Sequence, residues 1–214
     1  MKNLVLVCII IFGFQTSFSQ TFTRKDTLRG SLRPERTCFD VLRYDLNIRI
    51  NPTEKLIDGY NEITFKVIEN TSKIQLDLHE NMIIDSIMWV RNSLNYKREF
   101  GAVFIDFPLE IQKETTQSLK IYYNGKPTIA KRAPWDGGFV WAKDQNNKPW
   151  VGLACEGAGA SLWWPNKDHL SDEPEKGMEI HITVPSELMA ISNGNLSKVT
   201  DADKTHKTYH WKVS

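Results

Sequence analysis

The sequence predicts an all-β fold, specifically an antiparallel, saddle-shaped sandwich of two sheets. Apolar and polar residues alternate in many short segments, turn-forming residues separate several of these segments, and no long stretch carries the apolar stripe of an amphipathic helix. With 214 residues, of which 41% are hydrophobic and 25% charged, the chain has enough apolar content for one full core. We therefore expect one large domain rather than two.

The N-terminus is expected to be a signal peptide over residues 1–19. Lys2 supplies a positive charge, residues 4–14 are mostly apolar, and residues 17–19 include the small side chains that precede a cleavage site. A membrane anchor needs about 20 apolar residues, and this run is interrupted too early for one. Cleavage after Ser19 would leave Gln20 first, and we expect export to the periplasm or the cell exterior.

The charge balance limits the possible partners. Loss of Lys2 with the signal peptide lowers the 27 Lys and Arg residues to 26, which equals the 26 Asp and Glu residues. Nucleic acids and anionic membranes both attract a basic surplus, so neither is expected as a partner of the mature chain. The mature chain keeps two cysteines, Cys38 and Cys155, and an oxidising compartment would allow them to pair, although the sequence leaves this open.

Residues 20–37 are polar and basic and are expected to be a loose lead-in segment before a domain over residues 38–214. Its first strand is predicted at residues 42–50, where apolar and polar side chains alternate. Further alternations occur at Ile63/Phe65/Val67, Ile74/Leu76/Leu78, Val103/Ile105/Phe107, Leu119/Ile121/Tyr123, Met178/Ile180/Ile182/Val184 and Tyr209/Trp211/Val213. Turns are predicted at Asp58-Gly59, Asn70-Thr71-Ser72, Asn124-Gly125 and Asn193-Gly194. Because the last alternation has no closing turn, we expect a domain truncated at its C-terminal end, within a fragment of a longer protein.

The sequence contains no G-x-S-x-G elbow, no phosphate-binding glycine loop and no H-E-x-x-H zinc motif. His206 and His210 have the i, i+4 spacing of a zinc pair, but in a strand their side chains would be about 13 Å apart, so we expect solvated histidines. His169 lies near Asp168 and Asp172 in a polar loop, where surface hydrogen bonding is the favoured role. No catalytic residue and no metal ligand is therefore predicted in this chain.

Five tryptophans fall within thirty residues and alternate with glycines: Trp135, Trp141, Trp150, Trp163 and Trp164. Aromatic faces could form a platform on which sugars stack, or they could fill core and edge positions beneath long loops. The second interpretation is favoured. The first leaves an alternative function, a non-catalytic β-sandwich module that binds carbohydrate or protein, and it requires Trp135, Trp141 or Trp163 to face solvent.

Glu156 is the candidate binding residue. It follows the apolar run of residues 151–155, and Gly157 and Gly159 beyond it would let another backbone approach closely. A carboxylate in this setting could pair with an ammonium group, and the charge-assisted bond would be strong if the pair were desolvated. An ordinary surface turn is the simpler interpretation of the residues taken alone.

Several short segments, taken in order along the chain, form a recognisable series. They are Tyr44-Asp45-Leu46-Asn47-Ile48, Leu56-Ile57-Asp58-Gly59, Ile74-Gln75-Leu76-Asp77-Leu78, Tyr122-Tyr123-Asn124-Gly125, Cys155-Glu156-Gly157, Trp164-Pro165, Asp168, Asp172-Glu173-Pro174, residues 180–185 and Ala190-Ile191-Ser192-Asn193-Gly194. Their order and spacing resemble the N-terminal domain of the aminopeptidase N family of zinc metallopeptidases. The resemblance covers residues 38–214.

The resemblance implies a β-saddle that leans on a separate, thermolysin-like catalytic domain and lends one loop to its active site. In that loop a Glu or Gln binds the α-amine of the peptide substrate, and the matching residue here is Glu156. The family's G-x-M-E-N motif, its zinc ligands and its catalytic Tyr lie beyond this domain and are absent from this chain. Zinc is thus expected only in the catalytic domain of a full-length enzyme, and no activity is expected of this chain alone. A degraded relative kept only for protein contacts is a further alternative.

Overall fold

The computed structural model describes residues 21–214, so the predicted signal peptide of residues 1–19 and Gln20 lie outside the described residues. Within these residues the chain is mostly β-structure. The strands are β1 (Phe39–Asn51), β2 (Leu56–Val67), β3 (Thr71–Asp77), β4 (Met82–Trp89), β5 (Asn92–Ser93), β6 (Asn95–Glu99), β7 (Ala102–Ile111), β8 (Thr116–Gly125), β9 (Gly138–Lys143), β10 (Pro149–Ala154), β11 (Met178–Pro185), β12 (Asn195–Asp201) and β13 (His206–Val213). The helices are α1 (Arg24–Gly30), α2 (Pro34–Thr37) and a 3-10 turn at Ala160–Leu162.

The strands form three sheets. The large sheet has the order β12-β13-β11-β1-β2-β8-β4-β5, the second has the order β3-β7-β6, and β9 pairs with β10 in a two-stranded ribbon. Apolar side chains at alternate positions of the first two sheets are buried in one core, as Leu46 and Ile63 of the large sheet and Ile74 and Ile105 of the second sheet illustrate. The all-β sandwich predicted from the alternating pattern is therefore confirmed.

The sheet is mixed, whereas the sequence analysis predicted an antiparallel one. β1 pairs with β2 in the antiparallel sense but with β11 in the parallel sense, with Leu46 opposite Ile180. The chain before β11 is tied to the start of β1, since the Lys176 N–H donates to Leu42 O (2.8 Å). β11 therefore enters the sheet from the same end as β1 and runs in the same direction. An alternating pattern carries no information about strand direction.

Three local predictions were also wrong. The Asn124-Gly125 pair, predicted as a turn, is the end of β8 and pairs with both β2 and β4. The Asp58-Gly59 pair is not a turn but lies inside β2; Gly59 is required there because a Cβ would lie 2.0 Å from Asn47 O on β1. A β-bulge between Val41 and Arg43 shifts the register of β1 against β2. Val41 is consequently buried, and Leu42, which the alternation placed on the core face, is only partly buried.

The lead-in segment is not loose in its described part, residues 21–37. Thr23 and Asp26 form a capping box at the start of α1, and Leu28 of α1 is buried. Arg36 of α2 is fully buried and forms an ion pair with Asp77 of β3 at 2.5 Å. These helices were missed because a short polar segment has no apolar stripe, and its anchoring depends on one leucine and one buried arginine.

Cys38 and Cys155 are both free thiols in the structure, so they do not form a disulfide with each other. Cys38 is buried and Cys155 is partly buried. Burial raises the pKa of both thiols, which keeps them protonated at neutral pH. Among residues 21–214, no helix has both the length and the apolar character needed to span a membrane.

Candidate substrate-binding turn

Glu156 lies in a tight turn that joins β10 to the 3-10 helix. Cys155 O accepts hydrogen bonds from the N–H groups of Ala158 (3.1 Å) and Gly159 (2.8 Å), which closes the turn. Gly157 and Gly159 have φ values of +67° and +80°, in the left-handed region that favours glycine. The sequence therefore folds this segment into a fixed loop with the Glu156 side chain exposed.

The α1 helix and a loop carboxylate hold the turn in place. Arg29 of α1 donates from Nη2 to Gly157 O (2.6 Å). On the other side, Gly159 lies so close to Asp168 that a Cβ would sit 2.1 Å from its Oδ2 atom. Asp168 is itself fixed, because its Oδ2 accepts from the backbone N–H (3.2 Å) and the hydroxyl (2.6 Å) of Ser161.

A buried polar network connects Asp168 to both lead-in helices. The Asp168 N–H donates to Asp77 Oδ2 (3.1 Å), and Asp77 pairs with Arg36. Arg36 also donates to Leu28 O (3.0 Å), at the buried face of α1. Burial raises the pKa of Asp77 to about 6 and Arg36 acts in the opposite direction, so the carboxylate is mostly ionised at neutral pH. The segment expected to be loose thus braces the Glu156 turn.

The acidic loop after the Trp-Trp-Pro corner is more buried than the sequence analysis expected. The Asp172 side chain is only 2% exposed and forms an ion pair with Lys167. Lys167 also donates from Nζ to Phe39 O (2.6 Å), and its backbone N–H donates to Tyr44 Oη (3.1 Å). Surface hydrogen bonding was predicted here for Asp168, Asp172 and His169. Instead, Asp172 Oδ1 accepts from the Val41 N–H of β1 (3.4 Å), and the Asp168 N–H donates to Asp77 of β3 (3.1 Å). A single sequence cannot show that an acid and a lysine pair inside the protein.

His169 is bonded as a loop histidine, with Nδ1 2.8 Å from Ser171 Oγ and Nε2 3.2 Å from Gly30 O. His206 lies 3.1 Å from Asp203 in the turn before β13. His210, which was expected to be simply solvated, is partly buried and lies 2.7 Å from His181 of β11, measured between their Nδ1 atoms. The sequence analysis did not single out His181, because this contact depends on the pairing of β11 with β13.

The tryptophans mostly serve as packing behind the turn. Trp141 stacks on Phe139 with ring centroids 5.3 Å apart, and Trp163 meets the same ring edge-on at 6.2 Å. Trp164 packs edge-on against Tyr44 at 4.9 Å, while Trp135 is 77% exposed. Two of the three tryptophans proposed for a sugar platform are therefore packed against the core. This arrangement favours the structural interpretation of the cluster.

A cleft opens beside the turn, between α1 and the loop at residues 168–170. Its walls include Asp26, Arg29, Cys155, Gly157, Gly159 and His169. The Cys155 thiol offers no nucleophile, because burial keeps it protonated. What the turn offers chemically is an exposed carboxylate on a rigid backbone, which suits the binding of a cation rather than bond cleavage.

The comparisons with known proteins agree with this geometry. The family model described as the Peptidase M1 N-terminal domain matches residues 41–214. The chain belongs to this family. The match confirms the resemblance to the N-terminal domain of the aminopeptidase N family, while no curated protein is detectably similar to the chain in sequence.

Solved structures show the same fold. An M1 zinc metallopeptidase from Deinococcus radiodurans is 24% identical with a TM-score of 0.66, over 81% of this chain and 38% of that one. A mutant of that enzyme bound to a Tyr-Ser-Ala substrate is 21% identical with a TM-score of 0.62, over 81% and 39%. Yeast LTA4 hydrolase is 17% identical with a TM-score of 0.62, over 82% and 27%. This chain thus spans less than two-fifths of the length of the chain in each of these three structures.

Proposed function

We propose that this chain is the N-terminal domain of an exported, zinc-dependent aminopeptidase, and that Glu156 binds the free α-amine of the peptide substrate. The observation that carries the proposal is an exposed carboxylate on a braced turn, in a chain of the M1 N-terminal domain family. A carboxylate held at a constant position would recognise the substrate's N-terminal ammonium. It would thereby favour removal of one residue at a time, as a positioning group and not as a nucleophile.

The exposure of Glu156 explains why a second domain would be required. An ion pair in water contributes only about 0–1 kcal/mol, because solvent screens the charges. A catalytic domain that covered the turn would exclude water and strengthen the same pair. The sequence has no H-E-x-x-H motif, so the catalytic zinc would be held entirely by that domain, and this chain would supply only substrate recognition. We therefore expect no peptidase activity from the chain alone.

Export remains part of the proposal. The n-region, apolar run and small residues of positions 1–19 support a cleavable signal peptide. Mass spectrometry of the protein recovered outside the cytoplasm is expected to show a mature N-terminus at Gln20. Recovery of a cytoplasmic protein that still begins at Met1 would contradict export.

The role of Glu156 is tested in the full-length protein with aminoacyl substrates. Glu156→Ala removes the carboxylate and is expected to raise KM, whereas Glu156→Gln keeps the shape and loses the charge. Glu187→Ala is a matched control, since Glu187 is also exposed in a turn and should leave KM unchanged. Unchanged kinetics in both Glu156 variants would remove this residue from the site. If the full-length protein had no peptidase activity, the result would instead favour the alternative that it is a degraded relative kept for protein contacts.

A further inference from the structure

One histidine and two acids meet on the outer face of the large sheet, on two strands that run parallel. Asp45 of β1 lies directly opposite Glu179 of β11, and His181 is two residues further along β11 on the same face. His181 Nε2 is 3.3 Å from Asp45 Oδ1 and 3.5 Å from Glu179 Oε2. All three side chains are partly exposed, so a solvent ion can reach them.

These separations match the coordination shell of a divalent transition metal. Zinc bonds to histidine nitrogen and carboxylate oxygen are about 2.0–2.2 Å long, so neighbouring ligands of a tetrahedral site lie about 3.3–3.6 Å apart. Both distances from His181 fall in this range. One ligand atom from each residue lies within 4.8 Å of the others, so only small side-chain movements would complete the geometry.

The surrounding hydrogen bonds orient the same ligands. His210 Nδ1 lies 2.7 Å from His181 Nδ1, and His210 Nε2 lies 2.9 Å from Thr200 Oγ1. If each histidine donates along this chain, from His181 to His210 and from His210 to Thr200, the Nε2 lone pair of His181 is left for a metal. Metal-binding histidines usually donate their second ring N–H to such a partner.

The charges around the two acids are balanced, so the geometry of the ligand atoms carries the case for a metal. Like charges on directly opposite residues of neighbouring strands destabilise a sheet, and Asp45 and Glu179 are such a pair. Arg43 compensates in part, with Nη2 2.8 Å from Glu179 Oε1 and 4.0 Å from Asp45 Oδ2. Lys212 of β13 lies directly opposite Glu179 on the same face, so Arg43 and Lys212 together match the charge of the two acids. Asn47 donates to Asp45 Oδ1 (2.9 Å) and holds that carboxylate beside His181.

We propose that Asp45, Glu179 and His181 form a binding site for a divalent transition metal of the zinc class, with His210 as a positioning residue. The metal joins β1 to β11, and water fills its remaining coordination positions. The proposal does not depend on the proposed peptidase function. It also departs from the expectation that this chain holds no metal ligand.

The test is a calorimetric titration of the purified 214-residue chain with Zn²⁺ at neutral pH. The wild type is expected to bind one Zn²⁺ that His181→Ala does not bind, and Asp45→Asn and Glu179→Gln are each expected to weaken binding. His210→Ala removes the hydrogen-bond partner of His181 Nδ1 and should lower the affinity by about tenfold to a hundredfold. Nitrogen NMR of the imidazoles is expected to show a metal-bound Nε2 on His181.

His206→Ala is the matched control, because His206 also faces a carboxylate, Asp203, at 3.1 Å but belongs to no three-ligand group among residues 21–214. This variant should bind Zn²⁺ as the wild type does. Thermal unfolding of every variant without metal checks that each one folds. Equal binding by the wild type and His181→Ala, or no binding by the wild type, would overturn the proposal and leave an ion-pair network only.

Discussion

Two glycines of the Glu156 turn both have positive φ values but differ in their surroundings. A Cβ on Gly157 would meet nothing within 4 Å, whereas a Cβ on Gly159 would overlap the carboxylate of Asp168. Asp168 cannot easily move away, since Ser161 holds its Oδ2 through two hydrogen bonds. The rigidity of the turn therefore depends on Gly159 more than on Gly157.

Alanine substitutions at the two positions compare a glycine in open space with a glycine packed against Asp168. Gly157→Ala is expected to lower the free energy of unfolding by roughly 1–2 kcal/mol, the cost of a left-handed alanine. Gly159→Ala should cost about 1–3 kcal/mol more, because the φ of 80° and ψ of 168° at Gly159 lie in a region that is nearly restricted to glycine and the overlap with Asp168 adds to that strain. Urea denaturation of both variants measures the difference. Equal losses would show that Asp168 does not constrain the turn.

At the scale of residues, the sequence predicts a functional site only where the residues that form it are close together along the chain. Glu156 could be singled out because its glycines are adjacent to it. Asp45, Glu179 and His181 could not be found in the same way, because they meet only through the parallel register of β1 and β11. Alternation placed Glu179 and His181 on the polar face of β11. It did not identify β1 as the neighbour of β11, and the predicted sheet was antiparallel.

At the scale of elements, α2 is attached to the sandwich by a buried ion pair. The Arg36 side chain is 0% exposed and that of Asp77 is 8% exposed. Charges that are buried together are tolerated, but a buried charge that loses its partner is strongly destabilising. This ion pair therefore holds the lead-in helices on the sandwich. Since Arg29 of α1 supports the Glu156 turn, the turn also depends on the pair.

A double-mutant cycle measures the coupling between α2 and β3. Arg36→Met or Asp77→Asn alone leaves one uncompensated buried charge and is expected to cost about 3–5 kcal/mol. The double variant has neither charge, so it should be less destabilised than the sum of the single variants. Denaturation curves give the three free energies. Strict additivity would mean that the two side chains do not stabilise each other.

For the elements, strands were predictable and the lead-in helices were not. Period-two alternation located the central strands, since one buried face leaves a repeating pattern in the sequence. Residues 21–37 gave no such signal, because only Leu28 of α1 and Arg36 of α2 are buried in these helices. Basic composition suggested a solvated segment, and nothing local indicates that an arginine will be buried.

At the scale of the whole molecule, the fold and the family follow from features spread along the chain. The alternating segments predicted the sandwich, and their order supported the resemblance to the aminopeptidase N family, which the family match over residues 41–214 confirms. Strand direction required the structure, because alternation does not show that the connection before β11 returns to the start of β1. Within this fold the braced turn exposes the Glu156 carboxylate. A second domain would cover the turn and exclude water from it.

The central claim is that Glu156 recognises a free peptide amine in the full-length enzyme. The direct measurement is the ratio of kcat/KM for one peptide with a free N-terminus to that for its N-acetylated form, in the wild type and in Glu156→Ala. A lost charge-assisted hydrogen bond is worth about 1.5–3 kcal/mol, so we expect the ratio to fall by roughly 10- to 150-fold, through slower cleavage of the free peptide alone. A ratio that stays the same in the variant would contradict the account.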